Sequence, residues 1–260
     1  MNIIVCVKQV PDTTDVKIDP VTNTLVRQGV PSILNPWDGY ALEIALKLRE
    51  KHGGKITVLS MGPQQAEDTL RECLAVGADD AILLSDRAFG GADTLATSNA
   101  LAAAVKKIGE YDLLMFGKQA IDGDTAQVGP EVAEILDIPQ ITYVYEMEID
   151  GQELTAKRET EDGFEVIKTT LPAAVTAVRA SDLRLPSIKG KMAARKKAIT
   201  VLTSADVDVD PATIGLSGSP TQVKKVFSPP ARGNAEIITL EDAGVAADAI
   251  IAKLQSKYVM

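Results

Sequence analysis

The chain has 260 residues, 45% of them hydrophobic, enough for one substantial α/β core with or without an appended arm. Its formal net charge of −9 at pH 7 argues against general affinity for nucleic acid or for an anionic membrane surface. No apolar stretch is long enough to span a bilayer and no signal-peptide pattern opens the chain, so a cytoplasmic protein without membrane insertion is expected.

The first half alternates apolar runs with helical patterns. Residues 3–7 predict a buried strand that includes Cys6. Residues 36–51 predict a helix: Asn35 suits the N-cap, Pro36 suits the first helical position, and Trp37, Tyr40, Ile44 and Leu48 recur at helical spacing. The lone histidine, His52, then sits at a helix end, where the dipole favours it. Strands are expected over 56–59, 81–84 and 113–116, and helices over 64–76, 94–108 and 132–136. Cys73 falls on the apolar face of the second helix. Both cysteines read as reduced core residues rather than a disulfide.

The pattern changes after residue 142. Residues 143–149, 153–159 and 164–170 alternate at period two around turns at Asp150-Gly151 and Asp162-Gly163, which predicts antiparallel hairpins. Residues 173–178 return as a core strand. From about Asp182 the chain reads as loop, first basic, then rich in Pro and Gly at Ser217-Gly218-Ser219-Pro220 and Ser228-Pro229-Pro230, before an amphipathic helix over 240–254. The expected fold class is α/β: a mainly parallel, Rossmann-like nucleotide-binding sheet flanked by helices, with hairpin additions. Residues 1–200 would form the nucleotide-binding domain and residues 201–260 a C-terminal arm that packs on another chain.

One segment carries most of the functional signal. Gly117-Lys118-Gln119-Ala120-Ile121-Asp122-Gly123-Asp124-Thr125-Ala126-Gln127-Val128-Gly129 joins a strand to a helix. In parallel α/β proteins such a loop binds nucleotides, because unpaired N–H groups at the helix start and the helix dipole favour phosphate. The spacing is neither a P-loop nor a Rossmann fingerprint. Asp122 and Asp124 would repel a diphosphate, so they suit sugar hydroxyls or helix capping, whereas Thr125, Gln127 and Gly129 suit phosphate or ribityl groups. A solvated turn is the plainer alternative for the same residues. Asp86-Arg87-Ala88-Phe89-Gly90-Gly91-Ala92-Asp93-Thr94 follows the third strand. There Asp93 or Thr94 can cap a helix whose start is a second anion site. An ordinary capped helix after a glycine turn would look the same.

Val7-Lys8-Gln9-Val10-Pro11-Asp12, Asn35-Pro36-Trp37-Asp38, Gly77-Ala78-Asp79, Gly117-Lys118-Gln119-Ala120-Ile121-Asp122 and Leu171-Pro172-Ala173, in this order along the chain, resemble the beta subunit of electron-transfer flavoproteins. Asp86 to Ser98 is similar to the electron-bifurcating members. The resemblance implies a heterodimer with an alpha subunit that carries FAD. It also implies a beta subunit that binds a second FAD reduced by NADH, or, in non-bifurcating members, a structural AMP. Electrons would pass to an acyl-CoA dehydrogenase through the alpha-subunit FAD, and to ferredoxin or flavodoxin. Carried over by position, the cofactor would lie against Cys6, Asn35, Pro36, Trp37, Asp38 and Met61, and against Asp122, Gly123, Asp124, Thr125, Ala126, Gln127, Val128 and Gly129. Phe89, Gly90, Gly91, Thr94 and Thr97 would line the NADH side. Cys6, Trp37 and Phe89 equally suit core positions, and Asn35 suits a cap.

Arg184, Lys189, Lys191, Arg195, Lys196 and Lys197 form a basic run with no acid among them. A solvated face is the usual meaning of such a run, and no aromatics interleave as single-stranded nucleic-acid binding would want. With Leu185 and Ile188 it resembles the family's recognition loop, over about 183–198, which docks the acyl-CoA dehydrogenase. Apolar anchors would supply specificity there, and cations would steer an acidic partner. No side chain is expected to act as a catalytic acid or base, and no metal is expected.

Overall fold

The computed structural model describes residues 1–12, 31–179, 183–224, 233 and 243–257. The chain divides into two compact units, Met1–Lys224 and Lys225–Met260. In the first unit β1 (Asn2–Cys6) leads to β2 (Gln9–Pro11), which pairs antiparallel with β3 (Ser32–Leu34). There follow α1 (Pro36–His52), β4 (Lys55–Met61), α2 (Glu67–Val76), β5 (Asp80–Leu84), α3 (Thr94–Ile108), β6 (Leu113–Gly117) and α4 (Val128–Ile135). Then come β7 (Gln140–Asp150), β8 (Glu153–Thr160), β9 (Gly163–Thr170), β10 (Ala173–Ala177), α5 (Ile188–Lys196) and β11 (Thr200–Leu202). The second unit contributes α6 (Ala243–Ser256). The helix expected over 240–254 begins among residues outside the described set, as does the whole Ser228-Pro229-Pro230 stretch.

Among the described residues the large sheet has nine strands in the order β11-β5-β4-β1-β6-β10-β7-β8-β9. Pairing is parallel from β11 through β7 and antiparallel from β7 to β9. The α/β class with hairpin additions is therefore the fold observed. From β1 the chain moves outward through β4 to β5, then crosses back to β6 on the other side of β1. The crevice where strand order reverses is the ligand position in open parallel sheets.

Strand alternation explains the two cores. Ile3, Val5 and Val7 face α1 and α2, while Ile4 and Cys6 face α3 and α4. The alanines Ala100, Ala102, Ala103 and Ala104 let α3 lie close to the sheet. Asp93 caps α3 by accepting from Ala96 N–H at 3.0 Å, and Gly109, at φ 98°, ends it.

Two elements differ from expectation. α4 starts at Val128, four residues early, because Pro130 falls in the first turn, where a missing N–H costs nothing. The stretch read as loop after residue 182 holds α5 and β11. Ser187 caps α5 through Gly190 N–H at 3.0 Å, Arg71 of α2 donates to the Ala194 carbonyl at 3.0 Å, and β11 extends the sheet beside β5. The first unit thus runs on to Lys224, past the boundary expected near residue 200.

Gly117, at the end of β6, has no room for a side chain. A Cβ there would overlap Asp38 Oδ1 and lie 2.6 Å from Asp38 N. Gly117→Ala should destabilise the protein by about 1–3 kcal/mol, read as a lower midpoint in urea at an unchanged slope.

Candidate functional site: a cavity at the strand switch point

A cavity of about 780 Å³ opens over the C-terminal ends of β1, β4 and β6. Its floor is set by Asp38, in the first turn of α1. This carboxylate is buried, accepts from Lys8 N–H at 2.7 Å through Oδ2, and accepts from Gly117 N–H at 3.1 Å through Oδ1. Burial pushes its pKa up to about 7, against the opposing pull of hydrogen bonds from Lys8, Asn35 and Gly117. Burial, then the neighbouring Asp38, also pushes up the thiol of Cys6, which lies on the cavity wall.

The 117–129 segment forms one wall. Of the residues singled out from the sequence, Cys6, Asp38, Met61, Gly123, Thr125, Ala126, Gln127, Val128 and Gly129 line the cavity. Asn35, Pro36, Trp37, Asp122 and Asp124 are not on its wall. Asn35 occupies the N-cap position without capping through its side chain. Its amide instead donates to the Gln119 carbonyl at 2.8 Å and accepts from Ile121 N–H at 3.2 Å, so it braces the loop from below. Asp122 pairs at 2.6 Å with Lys8, which does line the cavity. Trp37 is half-buried, packs edge-on to Tyr40 at 5.9 Å and carries Lys118 5.6 Å above its ring. Pro36 is the exposed first residue of α1. Asp124 bonds the Gln119 amide.

Two non-glycine residues of this loop, Asp124 (φ 56°) and Ala126 (φ 55°), are left-handed. Each costs on the order of 1 kcal/mol or more, and such strain concentrates where a ligand is held. Gly129 lies where a Cβ would come 2.7 Å from Thr176 Cγ2, so α4 presses on β10. Gln127 supplies no side-chain cap to α4. Val128 and Gly129, whose first-turn N–H groups have no acceptor within α4, line the cavity.

Phe89, Gly90, Gly91, Thr94 and Thr97 form the opposite wall. Phe89 is also a buried member of the core under α3. This loop is strapped from outside by residues 204–221, which sequence reasoning did not connect with it. Asp86 accepts from the Ser204 hydroxyl at 2.6 Å and from its N–H at 3.1 Å. Those bonds, led by the hydroxyl, pull its pKa down to about 2. Leu216 N–H donates to the Gly90 carbonyl at 3.0 Å. Asp93 accepts from the Thr221 hydroxyl at 2.8 Å; burial opposes its ionisation, but these bonds hold its carboxyl below the usual range. Each contact spans more than a hundred residues of chain, and no local pattern announces it.

The site thus offers backbone N–H groups, small residues and long walls, with no paired acid and base and no activated nucleophile. Among the described residues no group of three His, Cys, Asp or Glu side chains could hold a metal ion, and no helix is long and apolar enough to cross a membrane.

The expected docking segment lies elsewhere on the surface. Leu185, ahead of α5, and Ile188 and Met192 on it are 90%, 81% and 57% exposed. Lys189, Lys191, Arg195 and Lys196 are exposed beside them. Lys197 pairs with Asp80 at 2.6 Å, and Arg184 pairs with Glu43 and Glu50 of α1 at 2.9 and 2.6 Å. Those two cations hold the segment to the body.

Comparison with known proteins places this geometry. Residues 22–207 match the family described as Electron transfer flavoprotein domain. The chain is 53% identical to the electron transfer flavoprotein subunit beta of Thermoanaerobacterium thermosaccharolyticum, over all of both chains. It is 50% identical, again over all of both, to the caffeyl-CoA reductase-Etf complex subunit CarD of Acetobacterium woodii. It is 48% identical to protein FixA of Azorhizobium caulinodans over 98% of this chain and 94% of that one.

The Asp38 environment has a measurable consequence. Its folded pKa, about 7, lies above the usual carboxylate value, so the folded state holds the proton more tightly than the unfolded chain. Its contribution to stability is then full below about pH 4 and lost as pH rises through about 7. Between these limits wild type should lose on the order of 1 kcal/mol per pH unit relative to Asp38→Asn, measured by urea denaturation at pH 5, 6 and 7. Parallel pH dependences for the two proteins would contradict the buried carboxylate's titration.

Proposed function

Because this chain belongs to the electron-transfer flavoprotein family, as a chain of the beta-subunit type, we propose that it is the NADH-oxidising half of an electron-bifurcating heterodimer. The observation that carries this reading is the single cavity bounded by both the 86–94 loop and the 117–129 loop. Both loops that the resemblance assigns, one to the flavin and one to the nicotinamide, thus face the same space. The name of the CarD relative, a subunit of a caffeyl-CoA reductase-Etf complex, supports the same assignment.

In this reading the 123–129 loop and the open start of α4 hold the diphosphate and ribityl part of FAD. Met61 and the Cys6 end of β1 form the back wall, and Asp38 keeps the strand ends in place. Bound there, FAD supplies acceptance of hydride from NADH and delivery of single electrons, one to the alpha-subunit FAD and on to an acyl-CoA dehydrogenase, the other to ferredoxin or flavodoxin. The chain's own residues bind, orient and exclude water; no side chain need gain or lose a proton. Gly90 and Gly91 keep the nicotinamide wall low, and residues 204–221 hold it in position. The exposed Leu185, Ile188 and Met192 face with its cations docks the acyl-CoA dehydrogenase, and the second unit packs on the alpha subunit.

Flavin analysis of the purified heterodimer with anaerobic NADH titration tests the reading. Two flavins per heterodimer and bleaching by NADH are expected; one flavin with bound AMP and no response to NADH would overturn it. Gly91 stands at φ 73°, with its missing Cβ 3.2 Å from that of Leu216. Gly91→Val should therefore cut reduction by NADH at least tenfold while the heterodimer still assembles. Loss of assembly with intact NADH reduction in the surviving complex would remove this loop from the nicotinamide side.

A further inference from the structure

Ser98 of α3 is fully buried although it carries a hydroxyl. That hydroxyl donates to Glu131 Oε2 at 2.8 Å, with the Val128 carbonyl a second acceptor at 3.5 Å. The other carboxylate oxygen, Oε1, accepts from the Thr94 hydroxyl at 3.1 Å, and Gln127 Oε1 lies 3.5 Å from that hydroxyl. Glu131 stands in the first turn of α4 and is not on the cavity wall, whereas Thr94 is. One carboxylate therefore bridges two hydroxyls of α3 from behind. A carboxylate only accepts, so the single proton of Thr94 is turned towards it. What Thr94 can show the cavity is its lone pairs.

We propose that Glu131 is a positioning residue that fixes the Thr94 hydroxyl as an acceptor, so that this part of the wall receives a ribose hydroxyl or carboxamide N–H and turns away phosphate. The proposal rests on the reading of the cavity as a nicotinamide-dinucleotide site and divides that site into two parts. The start of α3 is already served by carboxylates: Asp93 caps Ala96 N–H, and Glu131 takes the hydroxyl of the first helical residue. The start of α4 has no side-chain cap. A phosphate oxygen beside Thr94 would meet a lone pair, with the Glu131 charge close behind, and both repel it. The dinucleotide's own diphosphate therefore belongs away from Thr94, and its nicotinamide riboside end beside it.

Calorimetric binding of NAD⁺ and of ADP to the flavin-loaded heterodimer, without turnover, tests this. NAD⁺ carries the second ribose and the carboxamide; ADP lacks both. Thr94→Val should weaken NAD⁺ about three- to tenfold, the worth of one hydrogen bond, and leave ADP unchanged. Thr94→Ser, which keeps the hydroxyl, should bind NAD⁺ as wild type does. Glu131→Ala should weaken NAD⁺ as Thr94→Val does and leave ADP unchanged or tighter. Glu131→Gln, nearly isosteric and expected to assemble in any case, should show a partial NAD⁺ loss. Thr94→Val with Glu131→Ala should be no worse than Thr94→Val alone, because Glu131 acts through Thr94. Equal losses of NAD⁺ and ADP at Glu131, additive losses in the double variant, or wild-type NAD⁺ affinity in the single variants would each overturn the proposal. A wild-type complex that binds ADP but not NAD⁺ would overturn the nicotinamide reading, and this proposal with it.

Discussion

The cavity depends on one buried carboxylate. β1 and β6 pair in parallel from Ile3 with Leu113 to Val5 with Met115. Beyond that point β1 and β6 no longer pair with each other, although β6 stays on β10 as far as Gly117 and Val7 N–H still reaches the Leu59 carbonyl. Asp38 takes Lys8 N–H and Gly117 N–H, one on each oxygen. A buried N–H without a partner would cost about 1–3 kcal/mol. The carboxylate satisfies both while tying the head of α1 to both strand ends. Gly117 has no Cβ because that oxygen already occupies the space. The opening between β1 and β6 is therefore a braced gap rather than a frayed one.

Around this floor the two walls are held by different means. The 117–129 wall is braced locally: Asn35 reaches Gln119 and Ile121, Lys8 reaches Asp122, and Asp124 and Ala126 accept left-handed backbone. The 86–94 wall is braced at long range by residues 204–221, through Asp86, Gly90 and Asp93. The acids near the cavity are engaged in these braces, and the open N–H groups of α4 are left to attract an anion. An acidic chain can hold a diphosphate on these terms, because the groups near the ligand and not the net charge set the local potential.

The exposed apolar residues at α5 follow a similar division of labour. Arg184 and Lys197, part of the same basic run as the exposed lysines, are spent on Glu43, Glu50 and Asp80. Arg71 closes the C-terminal end of α5. A short, glycine-containing helix with few apolar contacts of its own is thereby kept on the body while Leu185, Ile188 and Met192 stay outward.

Local pattern in the sequence was enough for the alternating strands and helices, the hairpins, the Asp93 cap and the loop at residues 117–129, because periodicity and capping act over a few residues. The order of residues 117–129 also carried the family. Beyond such local caps, tertiary structure decided what the polar side chains bond. Asn35 reads as a cap but braces a loop 84 residues away, Thr94 reads as a ligand contact but has its proton claimed by Glu131, and residues 200–202 read as loop but complete the sheet. A hydrogen bond belongs to whichever partner the fold brings within 3 Å. In a parallel sheet, where neighbouring strands are joined by whole helices, that partner is seldom close in sequence.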